Sequence, residues 1–281
     1  LTPCRPGRGL RAMVAASVGL RGQRAPPARA ASSTLGAPLG WCPAGCHGWL
    51  PGEQAVQATS PERASRMEVL QAAMGELRSS AVVAIPTDRL YGLACSVSGS
   101  AALDAVYHLK GHSKAKPLAV CLGCVVDIYR YYHVKVPKGL LKDLLPGPVT
   151  LVLECLKELN KDLNPFTPPV SIWIPDHAFM HDLAQMFVGL LALTCANLSS
   201  QPSSLNVEEF QNLWPQLSLG INGGPIGDGK SPKCCLGSNV VDLSVPGKFG
   251  IIGAGCAWEN TMLVLQRKYR LLPHRDPAET W

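Results

Sequence analysis

The sequence lacks any run of about 18 or more consecutive apolar residues, so nothing in it reads as a membrane-spanning helix. It also lacks an internal repeat, which excludes a solenoid or propeller. Charged residues are few, at 16%, against 47% apolar residues, and that balance permits a packed core. The eleven cysteines have no secretory pattern and no framework of spacings, so a disulfide-stapled scaffold is excluded and free thiols in a reducing compartment fit best. Cys42-x-x-x-Cys46-His47 and Cys121-x-x-Cys124 have no second pair at zinc-site spacing, so no metal site is expected at either. Cys121 reads as a small buried apolar residue.

Acidic residues are missing altogether from residues 1–52, which carry six arginines (Arg5, Arg8, Arg11, Arg21, Arg24 and Arg29). Residues 53–281 hold twenty basic and twenty acidic residues, so the net charge of +6 lies wholly in the first segment. A basic total would suggest nucleic acid as a partner, but its confinement to one end undercuts that reading. The Arg-rich, acid-free segment has the composition of a mitochondrial transit peptide, although its prolines interrupt an amphipathic helix. A disordered Pro/Gly/Ala-rich extension is the alternative.

Residues 1–60 are therefore read as a tail. Order is expected from Ser60-Pro61, a helix-start pair, into an apolar-periodic helix from Met67 to Leu77. Short apolar runs then alternate with helical patterns. Strands are expected at Ala81–Ile85, Leu118–Leu122, Val149–Leu153, Val170–Ile174, Leu190–Leu193, Val240–Leu243 and Phe249–Ile252. Helices are expected at Leu103–Leu109, Ala178–Phe187 and Thr261–Tyr269. The pattern predicts an α/β domain with a mixed sheet. Residues 258–281 are read as a C-terminal helix and a frayed end from Pro273.

Gly224-Pro225-Ile226-Gly227-Asp228-Gly229-Lys230-Ser231 fits the P-loop pattern letter for letter. The chemistry of that pattern needs a helix starting at the lysine, whose N-terminal N–H groups face phosphate. Pro232 and a β-rich run follow instead, so a glycine-rich surface loop is the better reading.

Six other segments carry more information. They are Pro86-Thr87-Asp88-Arg89-Leu90-Tyr91-Gly92-Leu93; Leu109-Lys110-Gly111-His112 with Lys116-Pro117-Leu118; Pro146-Gly147-Pro148-Val149-Thr150; Ile172-Trp173-Ile174-Pro175-Asp176-His177; Leu193-Thr194-Cys195-Ala196-Asn197-Leu198-Ser199; and Gly237-Ser238-Asn239-Val240-Val241-Asp242. In order and spacing they resemble the YrdC family. The resemblance implies a single domain over about residues 67–257, a twisted mixed sheet with flanking helices around a concave cavity. It implies a nucleotidyltransferase that joins L-threonine, bicarbonate and ATP into threonylcarbamoyl-adenylate and pyrophosphate. A downstream tRNA threonylcarbamoyl transferase, of KEOPS type or its mitochondrial counterpart, would use the product. Mg²⁺ is expected to arrive with ATP, with no tightly bound organic cofactor and no protein-held metal. Residence in cytoplasm and mitochondria is expected.

Such a reaction needs no covalent nucleophile and hence no Ser/His/Asp triad. It needs two anions held together and their charge offset. By resemblance, Lys110 is the ATP-phosphate lysine and Asn197 a substrate-orienting amide. Thr87, Arg89, His112, Lys116, Thr150, Cys195, Ser238 and Gly253 occupy substrate- or nucleotide-binding positions. Pro86, Thr87 and Tyr91 build a loop over the cavity. Plainer readings exist for each: a solvated lysine at a helix end for Lys110, an Asx-type turn for Asn197, a strand-start cap for Ser238, and a β-branched strand residue for Thr150. Tyr91 could equally be core, and His177 reads as a helix-start residue.

The chain departs from the family pattern at six of these positions. Arg89 stands for a threonine, His112 and Trp173 for arginines, Cys195 for a serine, Asn239 for a threonine, and Gly253-Ala254-Gly255 for Arg-Pro-Gly. Arg→His and Arg→Trp are single-base changes, as in a divergent or retroposed copy. Each lost charge-assisted bond, at about 1.5–3 kcal/mol, predicts a roughly ten- to hundred-fold loss per site. The alternative function is thus a catalytically impaired paralogue that retains nucleotide, partner or weak RNA binding, the last through Lys110, Lys114 and Lys116.

Overall fold

The computed structural model describes residues 47–49, 62–111, 117–156, 159–164, 170–198, 201–227 and 236–274. Among the described residues, twelve strands form one sheet. They are β1 (His47–Trp49), β2 (Val83–Pro86), β3 (Tyr91–Ser96), β4 (Ala119–Cys121), β5 (Tyr132–His133), β6 (Val149–Cys155), β7 (Val170–Trp173), β8 (Leu191–Cys195), β9 (Leu219–Asn222), β10 (Asn239–Asp242), β11 (Lys248–Gly253) and β12 (Leu272–Pro273). The helices are α1 (Glu62–Arg78), α2 (Ser100–Lys110), α3 (Ile128–Tyr131), α4 (Leu140–Leu144), α5 (Ala178–Met186) and α6 (Trp258–Met262). A kinked 3₁₀ segment spans Val207–Gln216, and α6 runs on as a π-type turn over Leu263–Lys268.

The strand order is β1-β9-β2-β3-β8-β4-β7-β6-β10-β11-β12, with β5 beside the end of β6. Parallel pairs (β2 with β9, β4 with β7, β6 with β10, β11 with β12) mix with antiparallel ones, as the alternation of segments predicts. Side chains alternate between two apolar layers. Along β8, Leu191 and Leu193 join a layer under α1 and α5, while Ala192 joins the larger layer on the other face. Along β6, Val149, Leu151 and Leu153 face the larger layer. Thr150 therefore points to the opposite face, where its cross-strand neighbour Trp173 packs.

The sheet is curled. β3 and β10 are five steps apart in the strand order, which in a flat sheet would separate them by roughly 24 Å. Yet a Cβ added at Gly237, just before β10, would lie only 3.9 Å from Leu90 Cδ1, just before β3. The accumulated twist carries β3 and β10 toward each other.

The expected tail and C-terminus need correction. His47–Trp49, inside the segment read as a tail, pair antiparallel with β9 and cover an edge that would otherwise present unpaired backbone groups. Pro273, read as the start of a frayed end, pairs together with Leu272 in parallel with β11. Residues 1–46, 50–61 and 275–281 lie outside the described residues, and so does the rest of the tail reading. Among the described residues, no helix is long and apolar enough to cross a membrane.

Candidate active site

Lys110 is the last residue of α2. The helix stops there because Gly111 takes up a left-handed conformation, φ +62°, and its N–H bonds the His108 carbonyl. The side chain is only 6% exposed. Its Nζ donates to the Cys195 carbonyl oxygen at 2.8 Å and to Asn197 Oδ1 at 2.7 Å. The other end of the Asn197 amide donates to the Gln201 carbonyl at 2.6 Å, which fixes the amide's orientation. The plain reading of Lys110 as a solvated helix end does not hold. The bond to residue 195 uses the main chain, so a cysteine there leaves the lysine's position intact.

The loop between β2 and β3 is closed by its own hydroxyl. Thr87 Oγ1 donates to the Leu90 carbonyl at 2.7 Å and accepts the N–H groups of Arg89 and Leu90, both at 3.3 Å. A threonine hydroxyl has one proton and two lone pairs, so Thr87 is taken up in shaping this turn. Tyr91 is wholly buried against Phe210, and its hydroxyl donates to the Gly224 carbonyl at 2.7 Å while accepting from Gly223 N–H at 3.0 Å. It ties the glycine-rich loop to the β2–β3 turn. Gly224 to Gly227 contain no helix start, and the P-loop lysine, Lys230, lies outside the described residues. His112, Lys114 and Lys116 also lie outside them.

A second group forms where β6 and β10 start. Thr150 and Ser238 hydroxyls are 2.6 Å apart. Behind them, Trp173 is buried, and its indole N–H donates to the Gly147 carbonyl at 3.1 Å, anchoring the Pro146-Gly147-Pro148 turn. Gly253 sits opposite Val240 with ordinary contact room for a side chain, a would-be Cβ lying 3.4 Å from Val240 Cγ2. The β2–β3 turn touches both segments: Ala196 N–H bonds the Tyr91 carbonyl at 2.7 Å, and Leu90 Cδ1 lies 3.9 Å from where a Cβ on Gly237 would sit.

Sequence reasoning, which gave Asp88 a loop-orienting or backbone-bonded role and His177 a helix-start role, did not foresee their buried polar atoms. Asp88 Oδ1 and His177 Nδ1 are buried with no hydrogen-bond partner. Burial pushes the Asp88 carboxyl up from 3.8 to about 6, with Arg89 opposing and nearby Asp176 adding to the rise. Burial also holds His177 down at about 4, helped by Arg66. His177 stands at the residue before α5, the helix-start place expected after Pro175-Asp176, but its side chain makes no capping bond. Among the described residues no group of three His, Cys, Asp or Glu side chains could hold a metal ion.

The Sua5/YciO/YrdC family model, described as telomere recombination, matches residues 76–253. The chain belongs to this family. Within it, a human threonylcarbamoyl-AMP synthase is 68% identical over 97% of this chain and 98% of the relative. The threonylcarbamoyl-AMP synthase of Bacillus subtilis is 30% identical over 62% of this chain and 51% of its own. Among solved structures, Pyrococcus abyssi Sua5 in complex with L-threonine superposes with a TM-score of 0.63 at 22% identity, over 75% of this chain and 62% of that one. Escherichia coli YciO superposes with a TM-score of 0.59 at 19% identity, over 67% and 89%. These two share the Sua5/YciO/YrdC fold, a single mixed sheet with helices.

Proposed function

We propose that the chain is a threonylcarbamoyl-AMP synthase, a nucleotidyltransferase that prepares the threonylcarbamoyl group for tRNA. The observation that carries this is the buried Lys110–Asn197 clamp, taken with the Thr150–Ser238 hydroxyl pair, in a family whose curated relatives bear that activity. In the first step the threonine ammonium and bicarbonate give the carbamate, one water and one proton. A carbamate oxygen then attacks the α-phosphorus of ATP, and the bond to pyrophosphate breaks. Lys110, held by neutral carbonyl oxygens, offsets phosphate charge in a water-poor setting where its field is strong. Asn197 orients the lysine and presents its amide to substrate. Thr150 and Ser238 offer hydroxyls to threonine or nucleotide. Arg89, half-buried on the turn over the site, adds a cation where the family pattern has a threonine. Cys195, His112, Lys116 and Gly253 occupy the remaining binding positions, and Mg²⁺ enters with the nucleotide.

The product would pass to a tRNA threonylcarbamoyl transferase. Bicarbonate as the carbon source and residence in cytoplasm and mitochondria belong to the same reading, the latter supported by the Arg-rich first 52 residues.

Trp173 favours a slower variant of this function. It fills an arginine position with a buried, uncharged ring, and His112 and Gly253 remove further cations. The impaired paralogue that binds nucleotide, RNA or a partner is the alternative. The deciding measurement is pyrophosphate release by the purified full chain with ATP, Mg²⁺ and bicarbonate, with and without L-threonine. Threonine-dependent release that falls at least about a hundred-fold in Lys110→Ala is expected, since a buried charge-assisted contact is lost. ATP binding without threonine-dependent release would establish the paralogue.

A further inference from the structure

Asn239 opens β10, directly after Ser238, and is wholly buried. Its backbone N–H donates to the Pro148 carbonyl at 2.9 Å, which sets β10 against the turn that leads into Thr150. Its side-chain amide is used at both ends. Nδ2 donates to Thr261 Oγ1 at 2.7 Å, and Oδ1 accepts the Gly255 N–H at 2.6 Å. Thr261 lies in α6 and is 1% exposed. Gly255 and Thr261 lie beyond the stretch that the family model matches, residues 76–253.

A second observation shows how closely this segment is laid on the site. A Cβ added at Gly255 would sit 2.3 Å from the Gly237 carbonyl oxygen and 2.4 Å from the Ser238 carbonyl carbon. Only a glycine permits that approach, and it is the one letter of the family's Arg-Pro-Gly that Gly253-Ala254-Gly255 retains. Cys256 N–H donates to the same Gly237 carbonyl at 3.1 Å. The backbone of Gly237 and Ser238 is thus held from one side by Gly255 and Cys256, and the Ser238 hydroxyl meets Thr150 at 2.6 Å.

We propose that Asn239 is a positioning residue, and that segment 254–262 is the outer wall of the active site: through Gly255 and Thr261 the buried amide holds Ser238 on Thr150. This rests on the reading of Thr150 and Ser238 as substrate-facing hydroxyls. A fixed donor and a fixed acceptor in one planar group lock the wall in two directions. A leucine of similar size would leave the Gly255 N–H buried without a partner.

The test uses the full chain with Thr261→Val and Thr261→Ser, because direct replacement of Asn239 risks failure to fold. Valine matches threonine in shape but removes the acceptor oxygen. Serine keeps the oxygen and loses a methyl group. Two readouts are taken: amide hydrogen exchange of peptides covering 236–242 and 253–257, and ATP–Mg²⁺ affinity by calorimetry. Thr261→Val is expected to speed exchange in both peptides and to weaken ATP binding by about ten-fold. Thr261→Ser is expected to keep both near the parent values even where its melting temperature falls. A purely structural role predicts that affinity follows stability in the two variants. Exchange in 236–242 unchanged by Thr261→Val overturns the proposal, whatever ATP does. A parent chain that fails to bind ATP would instead count against the synthase reading, and the exchange arm would still decide this one.

Discussion

Asp88 and His177 make a prediction about acid stability that can be worked through in sign and size. In the unfolded chain a histidine titrates near 6.5, whereas His177 in the fold titrates near 4. Between those values the unfolded state binds the extra proton, so stability falls as pH drops from about 6.5 to about 4. Asp88 acts in the opposite direction. Its carboxyl titrates near 3.8 when unfolded and near 6 in the fold, so between those values the folded state binds the extra proton. Its contribution grows as pH falls from about 6 to about 3.8. Each shift spans about two units or a little more, which at 1.36 kcal/mol per unit is about 3 kcal/mol. Over the shared window the two contributions nearly cancel.

Removing one exposes the other. Asp88→Asn keeps the size and the backbone hydrogen bonding but cannot titrate. Its stability is expected to fall by about 3 kcal/mol, relative to the parent chain, between pH 6.5 and 4. His177→Asn is expected to do the reverse and gain about 3 kcal/mol relative to the parent as pH falls from 6 to 4. Urea unfolding of the full chain at half-unit steps gives these differences directly, and the carboxylates common to all three proteins drop out of the comparison. Curves for the parent and both variants that run parallel between pH 4 and 6.5 would refute the reasoning. Asp88 would then be solvated and His177 open to water.

Two further outcomes follow from the site geometry. Cys195→Ser should leave the Lys110 clamp untouched, because that clamp uses the residue's carbonyl; with a stronger hydroxyl donor restored, threonine-dependent pyrophosphate release should rise by up to about ten-fold with little change in melting temperature. Tyr91→Phe removes a hydroxyl that serves both Gly223 N–H and Gly224 carbonyl, and should cost about 1–3 kcal/mol in urea unfolding. An unchanged unfolding midpoint would mean that water replaces the hydroxyl there.

Much of the fold was legible because its strands are short apolar runs set between turn residues. Val149–Leu153 and Phe249–Ile252 lie in strands, and Ala81–Ile85 overlaps one that begins two residues later, at Val83. The strands that escaped notice have a physical reason for doing so. Tyr91–Ser96 contains Gly92, which reads as a turn residue, but this glycine is there because a Cβ would meet Leu193 Cδ1 at 2.9 Å. Leu219–Asn222 is four residues with a glycine inside, too short to show a period. His47–Trp49 becomes a strand only because β9 offers it an edge. In the site, the roles of Lys110 and Asn197 were legible through a family resemblance, but their contact across 87 positions was not, because no local pattern joins residues so far apart. Asn239 read as a lost hydroxyl; its burial and double bonding depend on α6, a distant element that no local pattern announces.

The departures from the family pattern therefore divide by what each position contributes. Where the main chain or the packing carries the role, the substituted residue is accommodated. Cys195 still offers its carbonyl to Lys110, Asn239 is bonded at both ends of its amide, and Trp173 anchors the Pro146–Pro148 turn with its indole N–H. Where the role was a reaching charge, nothing compensates from the same position. Gly253 has room for a side chain and lacks one, and Trp173 offers a ring where a guanidinium could fork onto phosphate. Loss of this kind acts on the charge that develops during phosphoryl attack more than on the fold, since the buried scaffold of hydrogen bonds does not use those groups. Arg89 adds a cation on the turn above, where its position beside Asp88 divides its field between that carboxylate and any bound anion. The chain should accordingly fold and hold nucleotide while turning over slowly. The deficit should appear chiefly in the rate of the adenylyl-transfer step and less in ATP affinity.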